Sequence, residues 1–188
     1  MTMDRLGNLT YIARMHSYYE ILGLPVAFEL NLKTLERAYF DAQRQWHPDR
    51  FVGKGEDLRE QAAIRSMQIN DAYETLKNPL ARARHLLELR GIFIDDDSNP
   101  PPALLMEVME LRERIQEVAE DGRALHAELE SLKKAMGIST QAIADAFNTE
   151  DWPVMEEEVL RLGYYGRALE EAHMLIYRLK ANHAKEHH

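Results

Sequence analysis

The apolar residues of this chain recur with a period near 3.6, and no stretch alternates apolar with polar residues long enough to make a convincing strand. That property confines the chain to an all-α fold. Its strongest interruption is "GIFIDDDSNPPP", residues 91–102, where Gly91 can end a helix, three aspartates resist burial and Pro100 to Pro102 stiffen a connection before a new helix. A domain boundary is expected there, with a linker over 92–102.

At 188 residues, 45% of them hydrophobic, the chain can bury a real core in one domain or two small ones. No segment approaches the ~18 apolar residues of a membrane span, and Asp4, Arg5 and Arg14 interrupt the first segment, so neither a span nor a signal sequence fits. A cytoplasmic protein is expected. The chain has no cysteine, which removes disulfides, thiolate catalysis, zinc fingers and thiolate-held iron–sulfur clusters. A net charge of -9 argues against general nucleic-acid binding, although a local basic face is compatible with it. Residues 1–16 read as an N-terminal extension whose order is left open, and His187 and His188, which resemble part of a purification tag, carry no functional weight.

The N-terminal half reads as a short helix from Ser17 to Leu22, then a helix from Leu32 to Trp46 capped by Asn31. An exposed loop, "HPDRFVGKGED", leads to a long helix from Asp57 to Lys77, and Pro79 opens another after Asn78. In the C-terminal half one helix starts near Ala103 and another follows Gly122. Leu125, Leu129, Leu132, Met136, Ile143 and Phe147 keep one heptad phase across Gly137, which predicts a single unbroken helix. The last helix opens at Asp151-Trp152-Pro153, with Glu156 to Glu158 near its positive end and a stripe of Met155, Val159, Leu162, Leu169, Ile176 and Leu179. Three antiparallel helices over 103–183 make a bundle.

Two helix faces exceed what a core needs. On the helix from Leu32, the stripe is Leu35, Ala38, Tyr39, Ala42 and Trp46; at about 100° per residue, Lys33, Arg37 and Arg44 fall opposite it. Arg50 and Lys54 follow in the loop. A solvated face would show the same row. Phe40 lies on this polar side, either as a partner contact or packed on another segment. On the helix from Ala103, the stripe is Leu104, Val108, Leu111, Ile115 and Val118, yet Leu105, Met106 and Met109 are also apolar and lie away from it beside Glu110, Glu113 and Glu117. Flexible methionines commonly line protein-binding surfaces. The other reading packs this face against the N-terminal half.

Pro48 would end a helix whatever the function, but it does not explain why His47 and Asp49 flank it among cations. No nucleophile, phosphate cradle or second carboxylate has recognisable spacing to that loop, and the histidines show no metal-ligand spacing. His173, on an apolar face, is expected as a hydrogen-bonded core residue. The chain is not expected to be an enzyme.

"YYEILGLP", the basic helix, "HPDRF" and "INDAYETLKNPLARARHLLELRG" together resemble a J-domain over residues 17–91. "PLARARHLLELRG" and "LLMEVMELRERIQEV" further resemble the HscB family, co-chaperones of iron–sulfur cluster assembly. The resemblance implies an antiparallel helix pair with an exposed loop. It implies that Lys33, Arg37, Arg44, His47, Pro48, Asp49 and Arg50 dock onto a DnaK-type ATPase, HscA, and stimulate ATP hydrolysis there. The bundle would hold the scaffold protein IscU through Leu105, Met106, Met109, Glu110, Glu113, Glu117 and Tyr164, a position where relatives often carry phenylalanine. No cofactor or resident metal is implied, nor any nucleic-acid or membrane partner. Some relatives add a cysteine-rich metal module, and its absence here points to the simpler bacterial-type architecture. The alternative is a J-domain adaptor for a different client protein.

Overall fold

The computed structural model of the protein describes residues 17–94 and 100–186, with side chains to residue 181. The expected N-terminal extension, the aspartates at 95–97 and the last two histidines lie outside these residues. The described residues form helices, turns and short irregular connections, without a strand, and the chain divides into two compact units between Phe93 and Ile94. The division falls inside the segment expected as a linker.

In the first unit, α1 (Tyr18–Ile21) is fixed by a capping box: Ser17 Oγ accepts the Tyr19 N–H, and Ser17 N–H donates to Glu20. Four residues of helix hold only through tertiary contacts. Tyr19 is fully buried and donates its hydroxyl proton to the Ala27 carbonyl at 2.6 Å. Burial raises its pKa well above the usual phenol range, against the Arg82 charge and the Ala27 bond. Tyr18 N–H donates to Nε2 of buried His85, which ties α1 to α4.

Helix α2 (Leu32–Trp46) begins where Asn31 Oδ1 accepts the Lys33 and Thr34 N–H groups. A 3-10 turn (Pro48–Phe51) leads to α3 (Glu56–Lys77), which starts one residue earlier than the sequence suggests. Leu35, Ile69, Ala72 and Leu76 are buried in the core of this unit, while Ala38, Tyr39, Ala42 and Trp46 are half-buried. Tyr39 hydroxyl donates to Asn70 at 3.0 Å and Gln43 amide to the Ser66 carbonyl at 3.1 Å, so the two helices run antiparallel. Asn78 caps α4 (Pro79–Glu88), whose end is closed by Gly91 at φ 78°, a left-handed conformation that glycine adopts without a Cβ penalty.

The second unit comprises α5 (Pro102–Glu117), α6 (Gly122–Asn148) and α7 (Trp152–Glu186). Helix α5 opens one residue before Ala103, since proline suits a first turn that needs no N–H. Helix α6 passes unbroken through Gly137, as its heptad phase requires. Asp121 caps it by accepting the Arg123 and Ala124 N–H groups, and those bonds to Ala124 and then Arg123 lower its pKa. Leu111, Ile115, Leu125, Leu129 and Leu132 form a core cluster with Tyr165, Ala168 and Ala172 of α7.

His173 departs from expectation because it is exposed. A straight helix drifts relative to a fixed heptad, so the buried stripe of α7 passes from Met155, Val159 and Leu162 to Ala168 and Ala172. His173, about 100° beyond Ala172, turns to solvent.

Candidate docking surfaces

Because Pro48 disfavours helix at the residue before it, α2 stops at Trp46 and His47 is extended at φ −60° and ψ 129°. His47 Nδ1 accepts the Asp49 N–H at 3.3 Å, which places the proton of a neutral ring on Nε2. The Asp49 carboxylate lies 3.5 Å from the same nitrogen, and the two side chains are 55% and 86% exposed. The turn therefore offers an imidazole and a carboxylate to solvent on a rigid support. Trp46 stacks on Phe51 at 6.1 Å, Arg65 lies over the Trp46 ring at 5.9 Å, and Lys54 lies over Phe51 at 5.1 Å. This cation and aromatic stack clamps the two ends of the turn together.

Lys33, Arg37 and Arg44 are all exposed on the face of α2 that leads to this turn. Arg44 stands 3.7 Å from Asp41, a weak exposed pair that leaves its guanidinium free to exchange partners. Arg50 folds back, and its guanidinium donates to the Arg44 carbonyl, capping the negative end of α2. It thus has a structural task beside the one the sequence suggests. On the opposite flank a cleft of about 390 Å³ is lined by Ile21, Leu22, Ala38, Ala42, Trp46 and Ile69, with Glu20, Asp41 and Arg65 at polar positions.

In the second unit, Leu104, Val108, Leu111 and Ile115 of α5 are buried, whereas Leu105, Met106 and Met109 are 45%, 63% and 53% exposed. Glu110, Glu113 and Glu117 are exposed beside them. The surplus residues are therefore not core, and the periodicity separated the two sets correctly. Tyr164 of α7 is half-buried under the Arg167 guanidinium, 4.3 Å from the ring centre.

Comparison with known proteins bears on both units. Residues 17–85 match the DnaJ domain, and residues 100–173 match the domain described as the HSCB C-terminal oligomerisation domain. The chain is 33% identical to the co-chaperone protein HscB of Proteus mirabilis over 167 residues, covering 86% of this chain and 96% of that protein. The chain belongs to the HscB co-chaperone family. Its fold superposes on the HscB chaperone of Vibrio cholerae with a TM-score of 0.78 at 32% identity, covering 87% of this chain and 99% of that one. The human co-chaperone HscB gives a TM-score of 0.80 at 27% identity, covering 86% and 82% of the two chains. The first unit is thus the J-domain of an HscB-family protein, and α5 to α7 are its C-terminal domain.

Inside that C-terminal domain lies a polar network that the sequence did not reveal. Arg161 donates to Glu107 at 3.2 Å, to Glu157 at 2.9 Å and to Glu158. Tyr165 hydroxyl also donates to Glu107, and Ser139 hydroxyl donates to Glu158 at 2.7 Å. The network joins α5, α6 and α7. Burial lowers the Arg161 pKa, but the Glu158 and Glu107 charges outweigh it and the net shift is upward. Burial, and then the bond to Glu107, push the Tyr165 pKa up to about 12. Glu107 directly follows Met106, so the network fixes the helix that presents the exposed methionines. Among the described residues, no group of three or more histidine, aspartate or glutamate side chains could hold a metal ion, and no helix is long and apolar enough to cross a membrane.

Proposed function

We propose that the protein is a cytoplasmic co-chaperone that docks α2 and His47-Pro48-Asp49 onto a DnaK-type ATPase, HscA, and stimulates its ATP hydrolysis. The exposed face of α5, completed by Tyr164, holds the scaffold protein IscU and delivers it to that ATPase for iron–sulfur cluster assembly and transfer. The chemistry belongs to the ATPase, and this chain supplies contacts. The observation that carries the reading is the clamped turn, which presents a half-exposed imidazole and an exposed carboxylate at the end of a basic helix. Lys33, Arg37 and Arg44 complement an acidic partner surface, Asp49 can accept a charge-assisted bond from a partner cation, and Pro48 sets the turn.

His47→Gln or Asp49→Ala abolishes ATPase stimulation while helical content and scaffold affinity stay at wild-type values, because neither side chain is part of the core. Stimulation retained by a folded His47→Gln protein would sink the assignment.

A further inference from the structure

The outer face of α2 is not purely basic. Phe40 is 61% exposed. It lies seven residues after Lys33, three after Arg37 and four before Arg44, so the ring and the three exposed cations share one helix face. The ring also has a fixed aromatic neighbour. Its neighbour Tyr39 meets it edge-on at 5.2 Å, is itself stacked on Tyr73 at 4.4 Å and donates its hydroxyl to Asn70 at 3.0 Å. An exposed aromatic side chain that touches a fixed neighbour and shares its helix face with cations has the form of a binding anchor, since two side-chain torsions leave little rotamer freedom to lose on contact.

We infer that Phe40 is the apolar anchor of the ATPase-docking face, inserting into an apolar recess rimmed by acidic residues on the DnaK-type partner. The inference rests on the proposed docking reading and adds a second determinant to it: charge steers the encounter, and the ring sets how long the complex lasts. A second copy of this chain is a poor occupant, because an isologous contact through this face would bring Lys33, Arg37 and Arg44 against their own equivalents. A nucleic acid would meet only this short row of cations in a chain of net charge -9.

The test is titration of the purified ATPase with the full-length co-chaperone, wild type or variant, at low and high salt. Phe40→Ala is expected to raise the concentration giving half-maximal stimulation about tenfold or more at both salt concentrations, with the same maximal stimulation at saturation. Phe40→Leu recovers most of the shift. Arg37→Ala gives a shift that shrinks as salt rises. A Phe40→Ala curve that superimposes on wild type, or one that loses its maximum without moving its midpoint, overturns the inference while leaving the docking reading intact. A His47→Gln protein that stimulates like wild type overturns the reading and the inference with it.

Discussion

Tyr165 shows how one residue can tie a surface to a core. Its ring belongs to the apolar cluster of the C-terminal domain, while its hydroxyl donates to Glu107, on the helix that carries Met106 and Met109. Tyr165→Phe keeps the ring and removes the donor, at an expected cost of about 1–2 kcal/mol near neutral pH, since the acceptor is charged but only partly buried. The cost depends on pH in a defined direction. An unfolded tyrosine ionises near pH ~10, whereas folded Tyr165 holds its proton to about 12. Above pH ~10 the unfolded state therefore binds fewer protons than the folded one, and wild type loses this contribution as pH rises. Urea unfolding of both proteins from pH 8 to 11 should show the gap narrowing at the alkaline end, whereas parallel curves would deny the link. None of this was legible in the sequence. Glu107 and Arg161 are 54 positions apart, and nothing in the spacing of either helix says which glutamate meets which arginine. The hydrogen-bonded task of Arg50 was hidden for the same reason, because a folded-back side chain leaves no periodic trace.

Helices were far more legible, because their signals are local. Asn31 and Asp151 accept orphan N–H groups at the helix starts expected from the sequence, and Asn78 and Asp121 do the same at two further starts. The unbroken course of α6 followed from one heptad phase kept on both sides of Gly137. That glycine now lies in a helix interior with nothing within 4 Å of where a Cβ would stand. Gly137→Ala is accordingly expected to stabilise the C-terminal domain by about 0.5–1 kcal/mol, through backbone entropy and helix propensity alone. Chemical denaturation should show a raised midpoint with an unchanged slope, and a lowered midpoint would mean that the glycine has a packing role. Where the local signal failed, at His173, the cause was cumulative. A small angular drift per heptad along α7 carried the buried stripe onto two alanines, Ala168 and Ala172, that hydrophobic patterning weights lightly.

At the scale of the whole molecule, the two units divide the proposed work. The J-domain unit carries the clamped turn and the basic face with Phe40; the C-terminal unit carries the exposed Leu105, Met106 and Met109 beside three glutamates. Each set of exposed side chains was separable from its core by helical period, which is why the faces could be read from the sequence. A shared chain would make the two binding events more than additive, since a scaffold held by one unit is brought to the ATPase docked by the other at high effective concentration. The most direct measurement is the ATPase rate of HscA with this protein, with IscU, and with both. Stimulation by this protein alone is expected, with a combined rate above the sum of the separate effects. His47→Gln should abolish both, whereas the double variant Met106→Ala, Met109→Ala should keep the stimulation and lose the excess. A combined rate equal to the sum, or an excess that survives loss of both methionines, would rule out scaffold delivery through the face of α5.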